Sequence, residues 1–84
     1  MMDVTVKLYA SLAHHLPDGA SKNSAQITVA EEATVQTVID QLRLPTEACH
    51  LVLLNGVFQP PAARASAHMS GSDVLAIWPP VAGG

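Results

Sequence analysis

Val4, Val6 and Leu8 alternate with Asp3, Thr5, Lys7 and Tyr9, the period-two pattern of a strand with one buried face. Residues 10–16 (Ala-Ser-Leu-Ala-His-His-Leu) suit a short helical turn, which Pro17-Asp18-Gly19 breaks. Ser21 to Ser24 reads as polar loop. A second strand is expected over residues 25–30, with Ile27 and Val29 on one face and Gln26 and Thr28 on the other. The period then changes. Val35, Val38, Ile39 and Leu42 fall at i, i+3, i+4 and i+7, which makes one apolar stripe on a helix. Thr34 suits the N-cap, and Glu31 and Glu32 precede it near the positive end of the helix dipole. Arg43 lies near the negative end, and Pro45 closes the helix. Val35, Val38 and Ile39 are β-branched, so packing against a sheet must hold this helix rather than propensity.

His50-Leu51-Val52-Leu53-Leu54 reads as a buried strand, and Asn55-Gly56 after it is a strong hairpin signal because both residues tolerate positive φ. Val57-Phe58-Gln59 returns as a brief strand that Pro60-Pro61 ends. Residues 62–69 read as irregular, Ser70-Gly71-Ser72-Asp73 as a turn, and residues 74–78 as the last strand. The connections among the last strands are too short for helical crossovers. The expectation is therefore a single α+β domain over residues 1–84, a mixed sheet of about five strands with one main helix across one face. The first and last strands can then lie side by side at its centre. Leu75 and Ile77 are expected to face the helix. Val74, Ala76 and Trp78, with Phe58, are expected to form an open apolar face that docks partners. The alternative for Trp78 is that it only caps the edge of the core.

Composition sharpens this picture. Only 13% of the 84 residues are charged while 49% are hydrophobic, and so small a domain cannot hide that much apolar area. Lys7, Lys22, Arg43 and Arg64 are scattered and form no basic stripe, which argues against nucleic acid as a partner. A single cysteine rules out an internal disulfide and fits a reducing compartment. With no signal-peptide pattern and no apolar run of membrane-spanning length, a soluble cytoplasmic protein with no membrane partner is expected.

The candidate chemistry is concentrated in Pro79-Pro80-Val81-Ala82-Gly83-Gly84. The prolines make a stiff extended spacer, so residues 79–84 should form a tail carrying the Gly84 carboxylate ~18–20 Å from the strand end. Gly83 and Gly84 lack Cβ atoms and can enter a channel too narrow for other residues. That carboxylate is read as the working group. Other candidates fall away. His14 and His15 point about 100° apart on a helix and lack a partner at ligand spacing, so no metal site is expected. Cys49 and His50 would point to opposite faces of a strand, leaving Cys49 as a small, partly buried filler. Asp73 suits a turn.

These elements, in this order, resemble the ubiquitin-like β-grasp sulfur carriers of the ThiS/MoaD family. The sharpest likeness is Gly71-Ser72-Asp73-Val74-Leu75-Ala76-Ile77-Trp78-Pro79-Pro80-Val81-Ala82-Gly83-Gly84, which is similar to the ending of MoaD, the small subunit of molybdopterin synthase. Val6-Lys7-Leu8-Tyr9-Ala10 and Leu53-Leu54-Asn55-Gly56 add to it. Leu12-Ala13-His14-His15-Leu16 departs from the Arg-Glu pair that MoaD-like chains carry in this region. The resemblance implies that a ubiquitin-activating-type adenylyltransferase uses ATP to adenylate Gly84. A persulfide donor then converts it to a thiocarboxylate. The tail, through Pro79, Pro80, Val81, Ala82 and Gly83, next enters the large subunit of molybdopterin synthase and delivers sulfur to a pterin precursor. The chain has no phosphate-binding Gly-rich loop, so it is expected to bind no cofactor itself. The other readings are a carrier for thiamine thiazole or tRNA thiolation, and a ubiquitin-like modifier conjugated through Gly84.

Overall fold

The strand that carries Val4, Val6 and Leu8 is β1 (Met2–Leu8), and all three side chains are fully buried. A computed structural model describes residues 1–80. It contains β2 (Ser24–Val29), α1 (Val35–Gln41), β3 (Leu51–Leu54), β4 (Val57–Phe58) and β5 (Val74–Trp78), with short 3-10 turns at Ala10–His15, Thr46–Ala48 and Pro61–Ala63. The five strands form one sheet in the order β2-β1-β5-β3-β4. β1 runs parallel to β5, and every other pairing is antiparallel. The first and last strands thus lie side by side at the centre, an arrangement that the element order allows.

Leu75 and Ile77 are fully buried with Val35, Val38 and Ile39 of the helix and with Val52 of β3. The expectation for the inner face of β5 holds. The boundaries move slightly. β2 begins at Ser24, whose partner in β1 is Lys7, and Ala30 instead accepts a turn hydrogen bond from Ala33. β3 begins at Leu51, and the stretch read as irregular includes the 3-10 turn Pro61–Ala63. The run of residues 50–54 is not buried on both faces. Val52 is enclosed, but Leu51 is 37% exposed.

The helix ends also have definite chemistry. Thr34 and Thr37 form a reciprocal capping box, each backbone N–H donating to the other's hydroxyl at 3.2 Å. Val35 donates to the Ala67 carbonyl and Gln36 to that of Arg64, so residues 64–67 close the remaining free donors of the first turn. Glu31 and Glu32 take no part in that turn. Glu31 pairs with the Met1 amino group at 2.9 Å, on the surface. Arg43 is not a last-turn cation either. It sits at φ 58 just past the helix, donating to Asp40, while Leu44 donates to Ile39. This is a Schellman ending with arginine in the left-handed position that glycine usually takes.

Asn55 and Gly56 turn the β3–β4 hairpin at φ 50 and 84. The Asn55 amide bridges to the next loop, donating to Asp73 Oδ1 and accepting from the Val74 N–H, both at 2.9 Å. Asp73 is a turn residue, accepting from Ser70 N–H at 2.7 Å.

Candidate functional site

β5 ends at Trp78, and that end is fixed from both sides. Tyr9 donates its backbone N–H to the Ile77 carbonyl at 3.2 Å, and His50 donates to the Trp78 carbonyl at 3.0 Å. The Trp78 indole stacks on the Tyr9 ring, and Trp78 is partly buried. Pro79 is partly buried and Pro80 exposed. Neither has an N–H to offer a neighbouring strand, so the ladder has to stop there. Val81, Ala82, Gly83 and Gly84, on which the chemical expectation falls, lie outside the described residues.

The second part of the site is the sheet face turned away from α1. Directly opposed residues of a ladder share a face. Trp78 is opposite Leu51, Ala76 opposite Leu53, and Leu53 opposite Phe58. Val74 and Ala76 lie on the same side of β5, opposite Thr5 and Lys7 of β1. Val74, Ala76, Trp78 and Phe58 therefore do share one face, with Phe58 49% exposed. Leu51 and Leu53 fill the space between them, and Tyr9 extends the patch beyond Trp78. Sequence reasoning missed these three. The face is divided: β5, β3 and β4 supply apolar groups, while β1 and β2 present Thr5, Lys7, Ser24 and Gln26.

The other singled-out groups are dispersed. His14 is exposed, and His15 Nδ1 lies 3.3 Å from the Leu42 carbonyl at the end of the helix. Among the described residues no three His, Cys, Asp or Glu side chains gather where they could share a metal ion. Cys49 precedes β3 rather than lying in it, and it is buried more fully than expected, with its thiol donating to the Pro45 carbonyl at 3.4 Å. Burial pushes that thiol above its ordinary value of 9.0. The Arg64 charge pulls it down and Glu47 adds to the rise. Arg64 itself is 2% exposed and was invisible as a core residue in the sequence. No described helix is long and apolar enough to cross a membrane.

The ThiS family model matches residues 6–84. The chain belongs to the ThiS family. Its members are sulfur carriers of the ThiS/MoaD type and ubiquitin-like modifiers, and the fold described above is their ubiquitin-like β-grasp. SAMP1 from Haloferax volcanii is 26% identical with a TM-score of 0.70, the match covering 98% of this chain and 99% of that one. A candidate molybdopterin converting factor subunit 1 from Pyrococcus furiosus is 19% identical with a TM-score of 0.70, covering 96% of this chain and 100% of that one. The Haloferax volcanii HVO 2177 protein, solved in solution, is 24% identical with a TM-score of 0.72, covering 99% of this chain and 87% of that one. These last two likenesses concern the fold. No curated protein matches this ThiS-family chain.

Proposed function

We propose that this protein is a sulfur carrier for molybdopterin synthesis, working through the carboxylate of Gly84. The observation that carries the reading is the family match running on through Gly84, past a last strand that ends at Trp78 and is followed by Pro79-Pro80. A carboxylate is a poor electrophile. An adenylyltransferase of the ubiquitin-activating type therefore joins it to AMP, releasing pyrophosphate from ATP. The terminal sulfur of a persulfide then bonds to the carbonyl carbon as AMP leaves with the electron pair. A thiol reduces the resulting acyl disulfide to the thiocarboxylate, which is the nucleophile delivered to the pterin precursor in the synthase large subunit. The apolar patch of Phe58, Val74, Ala76 and Trp78, widened by Leu51 and Leu53, serves as the surface on which these partners seat, while Pro79 to Gly83 thread their channels.

Intact mass after incubation with a cognate activating enzyme, ATP and a persulfide donor tests the proposal. One oxygen is expected to be exchanged for sulfur, and deletion of Gly84 or addition of one residue after it is expected to abolish transfer. Unchanged transfer in either variant would contradict the mechanism. Capture of a molybdopterin synthase large subunit distinguishes this pathway from thiamine thiazole synthesis or tRNA thiolation. The likeness to SAMP1, described as a small archaeal modifier protein, favours a second reading as a protein modifier. Gly84-dependent conjugates that survive a reducing gel would select that one.

A further inference from the structure

The guanidinium of Arg64 is buried, forms no ion pair among the described residues and leaves Nη2 without an acceptor there. A buried cation with an unused donor is costly, and an apolar side chain of similar volume is often at least as stable in such a place. An orphan of this kind calls for an explanation outside stability.

What Arg64 does hold is one peptide plane. Its Nη1 donates to the Cys49 carbonyl at 2.9 Å, while its Nε donates to Gln59 at 3.2 Å. The N–H of the peptide joining Cys49 to His50 is the one that donates to the Trp78 carbonyl. A charged donor on the carbonyl polarises the amide and strengthens its N–H as a donor. The Trp78 carbonyl belongs to the last residue of β5 before the prolines. The backbone carbonyl of Arg64 meanwhile accepts from Gln36 in the first turn of α1. Arg64 thus connects the start of the helix, the end of β4 and the root of the tail.

We propose that Arg64 is a positioning residue for the tail: through the peptide joining Cys49 to His50, it fixes the direction in which Pro79 and Pro80 leave the sheet. An activating enzyme then meets an arm already aimed and spends less binding energy on ordering it. Only this last consequence rests on the sulfur-carrier reading.

The test compares Arg64→Met, which removes both side-chain hydrogen bonds at similar volume, with Arg64→Lys, which keeps the charge and a single donor nitrogen. Amide exchange of His50 is read against that of Tyr9, whose N–H bonds β5 on its other side. In Arg64→Met the His50 amide is expected to exchange about tenfold faster relative to Tyr9, with Arg64→Lys restoring part of the protection. With the activating enzyme, Arg64→Met should raise the KM for the carrier about fivefold and leave kcat unchanged. Equal acceleration at His50 and Tyr9, no acceleration, or no rescue by lysine overturns the proposal. If Arg64→Met does not fold, Arg64→Lys against wild type carries the exchange comparison. The wild-type protein must also show a through-bond coupling between the His50 amide nitrogen and the Trp78 carbonyl carbon, and its absence is decisive against the proposal. A wild-type chain that no activating enzyme modifies would sink the sulfur-carrier reading while leaving the exchange result to decide the hold of Arg64 on the root.

Discussion

The ring of Tyr9 lies flat on that of Trp78, with centroids 4.3 Å apart and planes 2° from parallel. Tyr9 follows the first strand and Trp78 ends the last, so the stack ties the end of β1 to the end of β5. Tyr9→Leu and Trp78→Leu retain apolar bulk while removing the paired rings. A double-mutant cycle in urea is expected to give a coupling of about 1 kcal/mol. A coupling indistinguishable from zero would mean that the rings contribute buried area alone.

Leu75 and Val57 both lie on the helix side of the sheet by register, yet Leu75 is fully buried and Val57 is 62% exposed. Leu75→Ala is expected to cost about 2–5 kcal/mol, since the helix and sheet can close only part of the cavity. Val57→Ala should stay within about 0.5 kcal/mol. Denaturation midpoints at unchanged m-value check both.

At Asn55 two demands coincide: a positive φ and a side chain that ties the hairpin to Asp73 and Val74. Asn55→Ala loses the ties and also strains the backbone, whereas Asn55→Gly loses only the ties. The alanine variant should therefore be less stable than the glycine variant by about 1 kcal/mol. Equal stability of the two would show that the turn relaxes out of its left-handed conformation.

The buried thiol of Cys49 gives the fold a dependence on alkaline pH. Its folded-state pKa lies above the ordinary 9.0, so well below that value the thiol is neutral in both states and contributes no pH dependence. Above it the unfolded chain releases the proton while the folded chain keeps it. Stability attributable to Cys49 should then fall by up to about 1.4 kcal/mol per pH unit until the folded pKa is passed. Subtracting the pH profile of Cys49→Ala from that of wild type isolates this group. Identical profiles would show that the thiol ionises as readily in the folded protein as in the unfolded one.

The architecture was legible because its elements announce themselves locally. Val4, Val6 and Leu8 fix the inner face of β1, the stripe from Val35 to Leu42 fixes α1, and Asn55-Gly56 fixes the hairpin. What escaped depends on distant neighbours. Leu51-Val52-Leu53-Leu54 has no polar alternation, so nothing local says which of its faces is open. Arg64 sits among alanines in an irregular stretch, where a cation reads as solvated; its burial comes from the carbonyls of Cys49 and Gln59 and from the helix start. Arg43 looked like a favourable end charge, but the Schellman geometry required a left-handed residue there. Alternation separates Val74, Ala76 and Trp78 from Leu75 and Ile77, and the burial of the second pair places the first set on the outer face. Its continuation through Leu51 and Leu53 needed the strand order.

The parallel pairing of β1 with β5 also orders events in time. The strand that completes the centre of the sheet is the last of the five to be synthesised, so β1 and β3 must wait for it with unsatisfied edges. Such long-range closure is slow, and it leaves the half-made domain open to self-association. A chain interrupted before Val74 should therefore remain unfolded, which ties assembly of the domain to completion of its final strand.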